Sequence, residues 1–279
     1  MQYINVGKVN SSSINIYYED YGKGKPVVLI HGWPLSGASW EKQVPALLKA
    51  GYRVITYDRR GFGNSSKPAS GYEYDVLAED LSKLMNKLNL RKAALVGFSM
   101  GGGEVARYLG KYGSDRVSKA VFMAAIPPFL LKAQDNPAGL NASVFEGIKK
   151  SLLADRPAFL TRFFSYVYNV DVLRGKLVSD EALRLSWYIA AGASAKGTLD
   201  CVSAWLEDFR GDLKRIDVPT LVIHGDSDRI LPIAATGKRT HEAVKGSKLV
   251  VVKGAPHGLN WTHADKVNDA LLSFLGDKK

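Results

Sequence analysis

The order of elements along this chain predicts an α/β protein: a mostly parallel sheet with helices on both faces, and a helical cap inserted between two of its strands. Three observations predict it. Short apolar runs such as Pro26-Val27-Val28-Leu29-Ile30 alternate with helical patterns, as in strand–helix–strand units. From Pro127 to Arg215 no strand-like run appears, and the pattern there is amphipathic helix in pieces. The apolar run at Ala93 ends in Gly97-Phe98-Ser99-Met100-Gly101, a serine between two glycines where a strand turns sharply into a helix.

Taken in order, Ile4 to Val6 and Ile14 to Tyr18 read as two short strands across the turn-prone Asn10-Ser11-Ser12-Ser13. Pro26 to Ile30 is a buried strand that runs into His31-Gly32-Trp33-Pro34, followed by a loop and a helix near Trp40 to Lys49. Arg53 to Tyr57 is the next strand and leads into Asp58-Arg59-Arg60-Gly61-Phe62-Gly63-Asn64-Ser65. Tyr74 to Leu88 is helical, with Leu77, Leu81, Leu84, Met85 and Leu88 on one core-facing stripe. The helix after Ser99 places Val105, Leu109 and Tyr112 on one face, and Val117 to Ala124 is again a strand. The cap reads as helices near Ala142–Leu153, Pro157–Tyr166, Asp180–Ala191 and Lys196–Phe209. Ten aromatics lie between Phe129 and Trp205, and two thirds of them are expected to form the cap's own core while the rest roof a pocket. Strands resume at Thr220–Ile223 and Lys248–Val252, and Ala264–Leu275 is a closing amphipathic helix. The expected division is residues 1–126 and 216–279 for the core and 127–215 for the cap.

A chain of 279 residues, 46% of them hydrophobic, fits one such domain with an insertion. The net charge of +11 is spread out, and its densest pairs are only Lys149-Lys150 and Lys278-Lys279. A solvated surface is therefore expected, not a nucleic-acid partner. No signal-peptide core or membrane-length apolar stretch is present, and Cys201 is the only cysteine. A cytoplasmic protein with no membrane partner is the expectation; a homo-oligomer is compatible with the sequence.

Functional groups should lie beyond the carboxyl ends of the strands, where His31, Asp58, Ser99 and Ala124-Ala125 fall. A serine hydroxyl needs a base, an orienting acid and an anion site. Of the five histidines, His257 in Gly254-Ala255-Pro256-His257-Gly258 follows the last strand in a turn. His31 and His224 end strands directly and read as structural hydrogen-bonding groups; His241 and His263 lie in exposed helical stretches. Asp226 and Asp228 both qualify as the acid by position, and spacing does not choose between them. The oxyanion site needs two backbone N–H groups. Met100, at the helix start, supplies one. Trp33 supplies the other, because Pro34 has no N–H.

Together these segments resemble the α/β-hydrolase superfamily over nearly the whole chain. More narrowly the chain looks like the cofactor-free haloperoxidase and aryl esterase branch, which includes perhydrolases and γ-lactamases. The resemblance rests on His31-Gly32-Trp33-Pro34-Leu35, Tyr57 to Ser65, Gly97 to Gly103, Gly225-Asp226-Ser227-Asp228-Arg229 and Pro256-His257-Gly258. It implies an eight-stranded sheet, Asp228 as the acid with Asp226 structural, His257 as base, and no cofactor or metal. It implies acyl transfer on a small to medium aryl ester through an acyl-enzyme on Ser99, with metal-free perhydrolysis as a side activity. Pro34 and Phe98 are expected to line or tune the substrate site, Pro34 by turning the Trp33 carbonyl toward it. Lactam opening, carbon–carbon hydrolysis, hydroxynitrile cleavage and ligand sensing are the alternatives on this fold. Ser99 argues against the dehalogenases and epoxide hydrolases, which use a carboxylate nucleophile.

Overall fold

The structure is a computed structural model that describes residues 2–276; the Lys278-Lys279 pair lies outside them. Eight strands form one sheet: β1 (Gln2–Val9), β2 (Ser12–Tyr21), β3 (Pro26–Ile30), β4 (Arg53–Tyr57), β5 (Ala93–Phe98), β6 (Val117–Met123), β7 (Thr220–Gly225) and β8 (Lys248–Val252). Their spatial order is β1-β2-β4-β3-β5-β6-β7-β8. β1 pairs antiparallel with β2, and β2 with β4; every other pairing is parallel. The first two strands are longer than their apolar centres suggest, because exposed flanking residues such as Gln2 and Lys8 still pair in the ladder. β5 is central and all six of its residues are buried, which is why it reads as a continuous apolar run and not as an alternation.

A 3₁₀ turn (Gly37–Trp40), N-capped by the Ser36 hydroxyl, precedes α1 (Gln43–Lys49), so the single helix expected there is two pieces. On α2 (Tyr74–Lys87) Leu77, Leu81, Leu84 and Met85 are fully buried against α3 (Met100–Tyr112) and the sheet. Truncating any one of them to Ala should cost about 2–5 kcal/mol. Tyr112, placed by its spacing on one face with Val105 and Leu109, is the last residue of α3 and is 38% exposed. After the cap, α9 (Gly237–Ala243), α10 (Leu259–Thr262) and α11 (Ala264–Leu275) complete the chain.

Between β6 and β7 lie α4 (Ala142–Val167), α5 (Val170–Leu173), α6 (Asp180–Ala191), α7 (Ala195–Ala204) and α8 (Arg210–Leu213). The two helices expected at 142–153 and 157–166 are the halves of α4, bent at Asp155. Asp155 leaves the helical region (φ −160°, ψ 89°), as an N-cap residue does, and its Oδ1 caps the second half by accepting from Ala158 N–H at 2.9 Å. α7 ends at Ala204, five residues short of Phe209.

Candidate active site

Ser99 sits at the end of β5 with φ 54° and ψ −118°, a backbone state that side-chain-bearing residues rarely hold. Neighbouring glycines allow the turn. A Cβ on Gly97 would stand 2.4 Å from the Gly101 carbonyl oxygen, and one on Gly101 2.3 Å from that of Ile30. Three main-chain bonds pin the serine: its N–H donates to Met123 O at 2.9 Å, and its carbonyl accepts from Gly102 and Ile126 N–H at 3.0 and 3.3 Å.

The last strand, β8, delivers His257. Its Nδ1 is 2.8 Å from Asp228 Oδ2 and its Nε2 is 2.9 Å from Ser99 Oγ. A carboxylate only accepts, so Nδ1 carries the proton and Nε2 is left to accept from the serine hydroxyl. All three side chains are nearly buried. Asp228 Oδ1 accepts from the N–H groups of Ile230 and Leu231, both at 2.8 Å. Burial alone would push the Asp228 carboxyl up. The facing His257 and the bonds from His224 and His257 outweigh it and hold the group well below the usual carboxylate range. Asp226 plays a different part. It is exposed, accepts Gly254 N–H at 2.7 Å and so clips the two loops together.

The Gly32-Trp33-Pro34 loop lies directly against the serine. A Cβ on Gly32 would be 3.1 Å from Ser99 Cβ and 2.8 Å from the Phe98 ring. The loop turns through a Leu35 N–H to Gly32 O bond of 3.0 Å, which leaves the Trp33 N–H unspent by the turn. Trp33–Pro34 is a cis peptide. Met100 opens α3, so its N–H has no acceptor within the helix. Arg59 ties this loop to α3: its guanidinium donates to His31 O at 2.7 Å and pairs with Glu104, a fully buried acid of α3 that also takes the Tyr57 hydroxyl at 2.5 Å. His31 Nε2 accepts Arg59 N–H at 3.0 Å, and burial beside that guanidinium holds its pKa well below the ordinary histidine value. Sequence reasoning misses Glu104; the signal for it is an acid on the inward face of α3, between Gly103 and Val105.

Above Ser99 opens a cavity of about 580 Å³ with largely apolar walls. Of the ten cap aromatics, Phe145, Phe159, Phe163, Tyr166 and Trp205 line it, half and not the expected third. The Trp33 ring joins them, edge-on to Trp205 at 4.8 Å and to Phe163 at 5.1 Å. Phe98 does not line it. It is buried behind His257, ring to ring at 5.1 Å, because the last residue of a central strand points back into the core. Pro34 is buried and off the cavity wall as well. No described helix is long and apolar enough to cross a membrane.

A strained serine at a strand-to-helix turn, on an eight-stranded sheet with a helical insertion, defines an α/β-hydrolase-type protein. The alpha/beta hydrolase fold model matches residues 25–264, and the chain belongs to that family. Within it, several similar proteins carry the names of haloperoxidases and esterases. A Synechocystis sp. protein carrying the name of a non-heme chloroperoxidase is 64% identical over 99% of this chain and all of its own. A bifunctional esterase/perhydrolase of Acinetobacter calcoaceticus is 37% identical over 94% of this chain and 96% of its own. The crystal structure of a bromoperoxidase from Bacillus anthracis superposes with a TM-score of 0.95 at 55% identity, over 99% of both chains.

Proposed function

We propose that this protein is a serine hydrolase that cleaves small to medium aryl esters through an acyl-enzyme on Ser99, with metal-free perhydrolysis as a second outcome of the same intermediate. The carrying observation is the chain of hydrogen bonds from Asp228 through His257 to Ser99 Oγ, 2.8 and 2.9 Å, at the foot of an apolar cavity of about 580 Å³. His257 takes the hydroxyl proton as Ser99 attacks the ester carbonyl, and Asp228 stabilises the imidazolium. The N–H groups of Trp33 and Met100 receive the oxyanion. The imidazolium then protonates the leaving alcohol, and water, activated by His257, releases the acid. Hydrogen peroxide in place of water releases a peracid, which oxidises bromide and returns the carboxylic acid. Pro34 tunes that choice through the Trp33 backbone, and Pro34→Leu should lower perhydrolysis relative to hydrolysis.

In this reading residues 127–215 act as the cap over a core of 1–126 and 216–279, and the enzyme works on a small molecule in the cytoplasm. The test is one preparation, treated with chelator, assayed on p-nitrophenyl acetate and on monochlorodimedone bromination in acetate with peroxide and bromide. Turnover in both, with a fluorophosphonate adduct mapped to Ser99, is the expected result. Binding without turnover would instead favour a ligand sensor.

A further inference from the structure

His224, the fifth residue of β7, is fully buried, and the acyl-transfer steps give it no role. Its Nε2 stands 2.9 Å from Leu231 O and 3.1 Å from Asp228 Oδ2. A carbonyl oxygen can only accept, so Nε2 carries the proton. That one N–H bonds to the carbonyl, and the carboxylate oxygen lies in contact beside it. Nδ1 has no partner and faces α9, where a Cβ on Gly237 would approach it to 2.6 Å. The ring therefore has one donor and one direction in which to use it. Asp228 Oδ2, for its part, meets two imidazoles, His257 and His224, while Oδ1 takes two main-chain N–H groups. Each carboxylate oxygen is met by two groups, and three of the four come from its own loop or from β7.

We propose that His224 is a positioning residue for the reaction: its Nε2–H holds Asp228 Oδ2 in line with His257 and takes a share of the carboxylate charge. This rests on the reading of Asp228 as the orienting acid. The titratable groups facing that carboxylate are His257, from the loop after β8, and His224 itself. Ser99 faces the other nitrogen of His257. Arg229, next in the chain, turns its guanidinium to Asp171 of α5, and Asp226 is held by Gly254. Removing the His224 donor leaves more negative charge directed at His257. The imidazolium is then favoured, so the acid limb of the kcat/KM profile moves to higher pH. The carboxylate also loses its aim, which lowers kcat more than it changes KM.

The experiment compares His224→Leu with His224→Gln, whose amide N–H can reach the same oxygen, each normalised to active sites by fluorophosphonate titration. In His224→Leu the acid limb should rise by about one pH unit and kcat fall roughly tenfold, with KM little changed; His224→Gln should recover most of both. Unmoved limbs in both variants, or equal losses in the two, would overturn the proposal. If His224→Leu does not fold, ¹⁵N NMR of the wild-type ring decides: the Nε2–H tautomer is required, and an Nδ1–H tautomer refutes it. Asp228→Asn serves as the control. Full activity there would remove the acid reading itself, whereas a collapse there with no response at His224 would remove only this inference.

Discussion

The floor and the roof of the cavity are built by different physics. On the floor, Ser99, His257 and Asp228 end or follow β5, β8 and β7, and main-chain hydrogen bonds, close glycine contacts and buried charge pairs hold each in place. The roof is the cap, where Phe159, Phe163 and Trp205 meet Trp33 ring to edge. Aromatic packing of this kind is strong in sum but tolerant of repacking. On the proposed reading the difference teaches where function is set: the floor holds the reacting groups, and the roof selects what reaches them. Substitutions on the floor should therefore act on kcat, and substitutions in the roof on which ester is accepted.

The sharpest break of that comparison is Ser99→Ala. The hydroxyl contributes little to folding, so the melting temperature should change by no more than a degree or two, while esterase and bromination activity fall about a millionfold. Residual turnover of more than a thousandth, with contamination excluded, would move the nucleophile elsewhere.

Asp228→Asn should come next, with a loss on the order of ten-thousandfold in kcat because the imidazole loses its orienting charge. It carries a pH signature as well. A carboxyl whose folded pKa is depressed adds stability above its unfolded value, and that stability is lost as pH falls toward the folded one. The wild type's melting advantage over Asp228→Asn should therefore be full at neutral pH and narrow below about pH 4. An advantage independent of pH would mean that the carboxyl is not held ionised by its partners.

The floor is legible in the sequence and the roof is not, for the same physical reason. Glycines 97 and 101, the serine between them, and His257 past the last strand are demanded by backbone geometry and by chemistry, and both leave residue-level marks. The choice of Asp228 over Asp226 rests on resemblance, since two residues apart on one loop they look alike until their partners are seen. In the cap, Tyr166 and Tyr188 read alike as aromatics at helical spacing, yet only Tyr166 lines the cavity. Which face of such a helix turns inward is decided by packing against the rest of the fold, which spacing along the chain does not show. His224 reads as structural because a strand-end histidine followed by glycine says nothing of an aspartate four residues on.

Phe163→Ala tests the roof. The ring is half-buried and faces Trp33 at 5.1 Å. Its loss should leave kcat for p-nitrophenyl acetate within a few-fold, and lower kcat/KM for a bulkier aryl ester about tenfold, the order expected for lost apolar contact in a pocket. A kcat loss of a hundredfold on the small ester would show that the roof positions the reacting atoms and that the division between the two regions fails.

The smallest effect is expected at Asp226, and it tests the floor against itself. Asp226 and Asp228 share a loop, but the partners of Asp226 are Gly254 N–H at 2.7 Å and the Ser227 hydroxyl at 3.2 Å, both at the surface. Asp226→Asn keeps an oxygen that can still accept from Gly254, and it removes only the charge from that bond. About 1 kcal/mol or less should be lost, a fall of roughly 2–4 °C or less in melting temperature, with kcat/KM within about threefold because the turn carrying His257 is loosened and not misplaced. The effect should be relieved at low temperature, where the loop closes without help. A loss matching that of Asp228→Asn at every temperature would instead make Asp226 part of the reacting system, and the aspartate assigned by resemblance would have to be exchanged for its neighbour.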